Sequence, residues 1–229
     1  MNTQIARSEC ESFPIGLPNQ CSQLLHSKFM LSVAKAIATD NDKIPVTFSR
    51  LSSKEDWLTL GKFRLENYAI KKSYMVAELN SDGFDIYDRH ARVYAAWLNK
   101  EMIASIRLCS FPFETLQFVS EKKLAQFLGG DYQKHYLEWS RLLINSKVIS
   151  HRLLPAIIVY AGMDTLSTTS YSNYFGYSTP LIRRLFSKFQ LADDVLEFTI
   201  ERRGAHSYEL LKGDFAKDFT NLLRKKFQL

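Results

Sequence analysis

Two hydrophobic periods alternate along this chain of 229 residues, and the alternation restricts its architecture more than any other feature. Apolar residues at every second position mark strands, and apolar residues three to four apart mark helices. Strand patterns fall at Ile44–Ser49, Arg92–Leu98, Met102–Cys109, Tyr136–Ile144 (YLEWSRLLI), Ser170–Gly176, Val195–Glu201 and His206–Leu211. The second and third are joined by the turn Asn99-Lys100-Glu101. Helical spacing begins with Leu24, Leu25, Phe29, Val33 and Ile37, an amphipathic helix over about 21–39. Ser52 with Glu55 three residues later reads as a capping box ahead of a long helix carrying Trp57, Leu60, Phe63, Leu65 and Tyr68 to Lys71. Further helices are expected at Phe113–Leu128, stopped by Gly129-Gly130, and at His151–Leu166, where Pro155 sits in the first turn. Two more follow at Pro180–Gln190 and Phe215–Phe227, the last with Asp214 as its cap. Residues 1–20, with two prolines and Gly16, read as a mobile arm, and 76–91 is a polar stretch with Gly83 and three aspartates.

The resulting order, β-α-β-β-α-β-α-β-α-β-β, combines βαβ units, which make parallel pairs, with tight hairpins, which make antiparallel ones. It predicts an α/β fold: a mixed central sheet of about seven strands with helices on both faces, plus an extra N-terminal helix and a C-terminal helix. The division expected is an arm and amphipathic helix over 1–43 and one domain over 44–229. That order is the one expected of the GNAT acyltransferase fold.

Composition excludes other classes. Hydrophobic residues make up 46% and charged residues 24%, the balance of a globular protein. No apolar run reaches the ~18 residues that a transmembrane helix needs, so no integral membrane segment is expected. The opening MNTQIARSECESF lacks the apolar core of a signal peptide. Cys10, Cys21 and Cys109 are scattered, with no CxxC pair, which argues against zinc and for a reducing, cytoplasmic location. His90, His135 and His151 have no ligand spacing, so no metal is expected. The net charge of +6 is mild for a nucleic-acid binder. Much of the excess lies late, in Arg183, Arg184, Lys188 and Arg224 to Lys226, which suits either docking of an acidic partner or a solvated helix end.

Three polar clusters stand where a plain core would be apolar. They are Asp85-Ile86-Tyr87-Asp88, Arg107 in SIRLC, and Glu138-Trp139-Ser140-Arg141 inside an otherwise apolar strand. Charges in the middle of a covered sheet cost several kcal/mol each unless paired, so their presence invites a functional reading. Asp85 and Asp88 also suit turn and cap formation, and Arg107 also suits a structural bridge to Glu138. Strict alternation puts Glu138 and Ser140 on one face and Arg141 on the other; a bulge near Trp139 would unite them.

Taken in order, Arg64-x-x-x-Tyr68, Asp85-x-Tyr-Asp88, Arg107-Leu108 and Glu138-x-Ser-Arg141 resemble the autoinducer synthase superfamily. That group comprises the acyl-homoserine-lactone synthases and the long-chain N-acyl amino acid synthases. The resemblance implies a GNAT-like enzyme that moves a fatty acyl group from acyl carrier protein to an amine. By the same resemblance, Arg64 helps order the N-terminal part. Asp85, Asp88, Arg107, Glu138 and Arg141 shape the acceptor and catalytic site. The lactone synthases carry a tryptophan shortly after the arginine helix, where this chain reads AIKKSYMVAE. They also begin almost at their first strand, which here follows about forty residues. Both features look more like the N-acyl amino acid synthases.

Ordinary acetyltransferases hold coenzyme A pyrophosphate on a glycine-rich loop at a helix N-terminus. The stretch Asn145 to Arg152 has no glycine. An acyl-phosphopantetheine thioester on a carrier protein needs no such cradle, and Lys147 and Arg152 suit its single phosphate, or else a basic loop in water. No permanently bound cofactor is expected. Chemically, Glu138 is the candidate base for the acceptor amine. Ser140 or a backbone N–H of the bulged strand is the candidate oxyanion donor, and Arg107 or Arg141 suits the carboxylate of an amino acid acceptor. Cys109 reads as a small core residue. Tyr171–Tyr177 suits either an acyl tunnel or a packed strand.

Overall fold

The computed structural model describes residue 28 and residues 31–38, 46–145, 147, 152–180, 182–184, 194–203 and 207–227. The expected arm over 1–20, the first part of the helix over 21–39, His151 and Lys188 lie outside them. The elements are helix α1 (31–38), β1 (Val46–Arg50), α2 (Lys54–Lys71), α3 (Ser73–Val76), β2 (Ala91–Leu98), β3 (Glu101–Cys109), α4 (Glu121–Leu128), α5 (Tyr132–His135), β4 (Tyr136–Ile144), α6 (Leu153–Thr168), β5 (Asn173–Ser178), β6 (Asp194–Thr199), β7 (Ser207–Asp214) and α7 (Phe215–Phe227). Short 3-10 turns at Ile86–His90, Glu114–Gln117 and Glu201–Arg203 prove to matter most for the site.

The strands form one seven-stranded sheet in the order β1-β2-β3-β4-β5-β7-β6. Only β4 and β5 run parallel; the other pairs are antiparallel. This is the mixed sheet the sequence predicts. The hairpin β2-β3 turns on Asn99 and Lys100, both with positive φ (50° and 69°), the conformation that matches the twist of a two-residue hairpin.

Alternation sorts the sheet's two faces. Tyr94, Ala96, Ile106, Leu108, Leu137 and Trp139 turn towards α1, α6 and α7. α6 is apolar all round over its first two turns, Leu153–Val159, and buried there, as such a helix must be. The opposite face holds two separate apolar clusters. One packs Leu60, Phe63 and Tyr68 of α2 on Val93 and Ala95. The other packs Phe113, Leu124 and Leu128 on Phe175 and Leu210. The seam between them is polar, and it is the site described below.

Several boundaries differ from the sequence reading. The cap of α2 is Ser53 rather than Ser52. Its Oγ accepts from Asp56 N at 3.0 Å, and the Asp56 carboxylate accepts from Ser53 N, so the box is shifted by one residue. The helix expected over 113–128 is a 3-10 turn, a break, and then α4, because Ser120 caps a new start by accepting from Lys123 N. Asp214 caps α7 as expected, accepting from Lys217 N at 2.7 Å. No helix among the described residues is long and apolar enough to cross a membrane.

The loop after α3 approaches α2 backbone to backbone. A Cβ on Gly61 would overlap the Asp82 carbonyl, and one on Gly83, at φ +85°, would overlap Gly61. Gly83→Ala is therefore expected to cost at least ~1–2 kcal/mol from the left-handed backbone alone, more once α2 is pushed away. The urea midpoint measures it, and an unchanged midpoint would show that the loop yields freely.

Candidate functional site

The seam on the α2 face is filled by four arginines and four carboxylates from six segments. Arg64 of α2 grips Asp88 with two bonds, 2.7 and 3.0 Å. Arg107 of β3 donates to Asp85 (2.5 Å), Asp88 (3.2 Å), Glu114 (2.5 Å) and Ser140 Oγ (2.9 Å). Arg141 of β4 reaches Asp85 (2.8 Å), Glu78 (3.3 Å) and Glu114 (3.3 Å). Arg203, from the turn before β7, holds Glu78 (2.6 Å) and Glu114 (3.2 Å), donates to Tyr177 Oη (2.7 Å), and stacks on Phe118. Arg64 and Arg107 are wholly buried. Removing such ions from water is tolerable only when they are paired; the carboxylates supply this, although Arg64 Nε has no hydrogen-bond partner among the described residues.

Local structure explains how these side chains meet. Asp85 caps the 3-10 turn at Ile86–His90, accepting from Tyr87 N, while Asp88 closes a capping box onto Asp85 N. The two aspartates are thus both cap formers and ion-pair partners. The bulge expected near Trp139 lies two residues further on. Against β3, Ser105 pairs with Leu143 and Arg107 with Ser140, so β4 carries one extra residue, and Arg141 takes φ 50°. That turns the Arg141 side chain to the face of Glu138 and Ser140. A left-handed arginine in a strand is strained, and such strain gathers at functional sites.

Burial alone would raise the carboxyls of Asp88 and Glu114, but the neighbouring guanidiniums overcome it and hold both below their ordinary values. Glu138 goes the other way. Burial and then the Glu114 charge push it up to about 7, against the bonds from Thr115. Both its oxygens are taken: Oε2 accepts from Glu114 N (2.5 Å), and Oε1 from Thr115 N (2.9 Å) and Thr115 Oγ1 (2.6 Å). Cys109 is buried, its thiol pushed up by burial, with Sγ 3.2 Å from His90 Nε2.

Two cavities flank the seam. The first, of about 290 Å³, runs beside β4 where it parts from β5; it is lined by Tyr68, Trp139, Leu142, Leu154, Tyr174 and Ile182 among others. The parallel ladder ends at Trp139 and Gly176, so beyond it the β5-facing edge of β4 has no strand partner among the described residues. The second cavity, of about 760 Å³, is bordered by Trp57, Glu78, Phe84, Asp85, Asp88 and Arg89. Arg141 lines both.

Of the residues singled out in the sequence, Arg64, Asp85, Asp88, Arg107, Ser140 and Arg141 are brought together in this seam. Tyr68, Ser140 and Arg141 line the first cavity; Asp85 and Asp88 line the second. Arg64 and Arg107 line neither. Nor does Glu138: expected to take a proton from the acceptor, and weighed as a bridge to Arg107, it is instead turned into the segment 114–115. Lys147 and Arg184 are exposed, Arg152 opens α6, and Arg183 pairs with Glu209 at 3.5 Å. Of Tyr171–Tyr177, Tyr174 and Tyr177 are packed in β5 and also border the first cavity. Glu78, Glu114, Thr115 and Arg203 were not foreseen. Among the described residues no group of three or more His, Cys, Asp or Glu is placed to hold a metal ion.

No protein-family model matches the sequence, and a search of curated proteins returns no match. Solved structures do match. The acyl-homoserine-lactone synthase LasI aligns over 76% of this chain and 91% of its own, with TM-score 0.56 and 13% identity. FeeM, an N-acyl amino acid synthase from uncultured soil microbes, aligns over 81% and 98%, with TM-score 0.61 and 10% identity. BjaI, a coenzyme A-dependent acyl-homoserine lactone synthase, aligns over 77% and 84%, with TM-score 0.55 and 15% identity. With its seven-stranded mixed sheet, its bulged fourth strand and these likenesses, the chain has the GNAT-like fold of the autoinducer and N-acyl amino acid synthases.

Proposed function

We propose that residues 44–229 form an N-acyltransferase domain that moves a long-chain fatty acyl group from acyl carrier protein to the amino group of an amino acid. One observation carries this reading: Arg141, set by the bulge, is a shared wall between an apolar cavity and a carboxylate-rimmed one. Two substrates of unlike chemistry can meet there. The apolar cavity beside the open edge of β4 suits an acyl-pantetheine arm, because an extended chain of amides can hydrogen-bond to a free strand edge. Arg152, Arg183 and Arg184 lie within two residues in sequence of the lining residues Leu154 and Ile182, and Lys147 within three of Ile144; these four suit a phosphate and an acidic carrier surface.

On the acceptor side, Glu78 and Asp85 suit an ammonium group, and the exposed Arg89 a carboxylate. Once the amine is neutral, its nitrogen attacks the thioester carbon. The oxyanion meets the Ser140 hydroxyl, whose oxygen already accepts from Arg107. Glu138 acts from behind, fixing 114–115 and so the Glu114 carboxylate that Arg107, Arg141 and Arg203 share.

The lining of the second cavity favours one other acceptor. Trp57 and Phe84, with rings 6.0 Å apart, together with Glu78 and Asp85, suit a cation, which is what lactone synthesis from S-adenosylmethionine would need. Incubation with acyl carrier protein loaded with a long-chain acyl group, an amino acid pool and S-adenosylmethionine separates these readings by product mass. N-acyl amino acids are expected; lactone would reverse the order, and no transfer at all would remove both.

Docking on the basic flank predicts a salt-sensitive KM, since exposed charges are screened over ~8 Å at physiological ionic strength. Lys147→Glu with Arg184→Glu is expected to raise KM for the acyl carrier protein severalfold while kcat holds. Both side chains are exposed, whereas reversing Arg183 would also leave Glu209 facing a like charge. Equal use of acyl-coenzyme A, indifferent to salt, would remove the carrier protein from the scheme.

A further inference from the structure

The phenol oxygen of Tyr68 has no hydrogen-bond partner among the described residues. Its ring packs in the α2 cluster at 2% exposure, its hydroxyl makes no hydrogen bond among the described residues, and the residue lines the first cavity beside Ser140 and Arg141. A buried hydroxyl left unpaired is costly, and phenylalanine would fill the same volume at no such cost. The packing of α2 therefore does not account for the oxygen. No acceptor among the described residues lies within hydrogen-bond reach of this O–H, and an occupant of the cavity can supply one.

Building on the proposed acyl transfer, we infer that Tyr68 is a catalytic residue whose hydroxyl donates a hydrogen bond to the carbonyl oxygen of the acyl thioester. In an acyl chain the thioester is the polar spot, and its oxygen is a far better acceptor than its sulfur. As the amine nitrogen forms its bond to the carbonyl carbon, the C=O π pair moves onto oxygen, where Tyr68 and Ser140 both donate. Collapse restores C=O and breaks the C–S bond. The pair leaves on sulfur, which takes up the proton given up by the amine. Tyr68 keeps its own proton throughout: burial raises its pKa above the ordinary phenol value, against the pull of Arg141 and Arg64, so it is a poor acid and a steady donor. Preorganised donors of this kind are strongest in a water-poor site.

Tyr68→Phe removes the oxygen and nothing else. Turnover with acyl carrier protein is expected to fall by ~10²-fold, the scale of one lost oxyanion donor, with KM raised by no more than the roughly tenfold worth of one ground-state hydrogen bond and the melting temperature unchanged or higher. Calorimetry on the full chain supplies a readout independent of turnover. The probes are an acyl-pantetheine analogue with methylene in place of sulfur, which is a ketone, and its counterpart with methylene also in place of the carbonyl. Tyr68→Phe is expected to weaken the ketone by roughly tenfold, about one hydrogen bond, and to leave the counterpart unchanged. Equal loss for both probes, a lowered melting temperature, or an unchanged ketone affinity would make Tyr68 a packing residue and overturn the inference. Failure of the parent protein to bind either probe would instead overturn the donor site itself, and the inference with it.

Discussion

Arg107→Met is expected to destabilise the protein by ~3–5 kcal/mol, the cost of removing one partner from a buried ion pair. Methionine approximates the arginine stem in volume, so the loss is electrostatic. Asp85, Asp88 and Glu114 each lose a bond to the same guanidinium, and Ser140 loses its donor. Three arginines then face four carboxylates that cannot all stay ionised away from water. At the low end of the ordinary ~5–15 kcal/mol, that loss is most of a domain's stability. Chemical denaturation measures the loss. Asp85→Asn in the same chain should recover part of it by removing one surplus negative charge, whereas the two changes would add if the seam were wet and screened. A cost below about 1 kcal/mol would mean that water reaches Arg107 freely.

Glu138→Gln carries the second large effect. Isosteric shape does not rescue it, because both carboxyl oxygens accept hydrogen bonds, three in all, two of them from backbone N–H groups. Either placement of the glutamine amide points an N–H at another N–H. Each buried donor left unmet costs ~1–3 kcal/mol, and the 114–115 segment must shift, carrying Glu114 away from three arginines. Stability and turnover are expected to fall together; full stability in Glu138→Gln would show that the segment is not held by this carboxyl.

The pH dependence gives a sharper check. Between the ordinary glutamate value of 4.5 and about 7, the folded chain keeps a proton on Glu138 that the unfolded chain has released. This group's contribution therefore falls as pH rises through that window. Asp88 and Glu114, with lowered values, contribute stability that is present above the ordinary carboxylate range and lost as pH falls below it. A stability maximum in mild acid is expected, and its alkaline limb should flatten in Glu138→Gln. A parent profile that rises steadily from pH 5 to 7 would contradict the Glu138 environment.

Local signals were legible and distant ones were not. Seven strands, two hairpins and the Asp214 cap could be read because each rests on period or on residues within one turn. The shifted cap at Ser53 shows the limit, since Ser52 and Ser53 each have an acid three residues on. Charged residues in an apolar strand pointed to Arg107, Glu138 and Arg141, and the same test applied to FPFETLQF would have found Glu114. Its surroundings read as one helix, which hid the lone buried acid. Arg203 gave no signal at all. It sits in a polar ERRGAH stretch, and its partner Glu78 lies 125 residues away. The position of the bulge was equally hidden, because a single left-handed residue changes no pattern of apolar residues.

That long reach also bears on how the molecule is made. During synthesis, chains emerge from the N-terminus, so Glu78, Asp85, Asp88, Arg107, Glu114 and Arg141 can all associate while the residues after β5 are still being added. At that stage Arg64, Arg107 and Arg141 oppose four carboxylates, and Glu114 and Glu78 have only one of the two cations they share. The missing charge arrives only when Arg203 is placed ahead of β7, which enters the sheet between β5 and β6. A partly made chain thus holds an acidic, unfinished seam, and closing the far edge of the sheet is the same event as neutralising it.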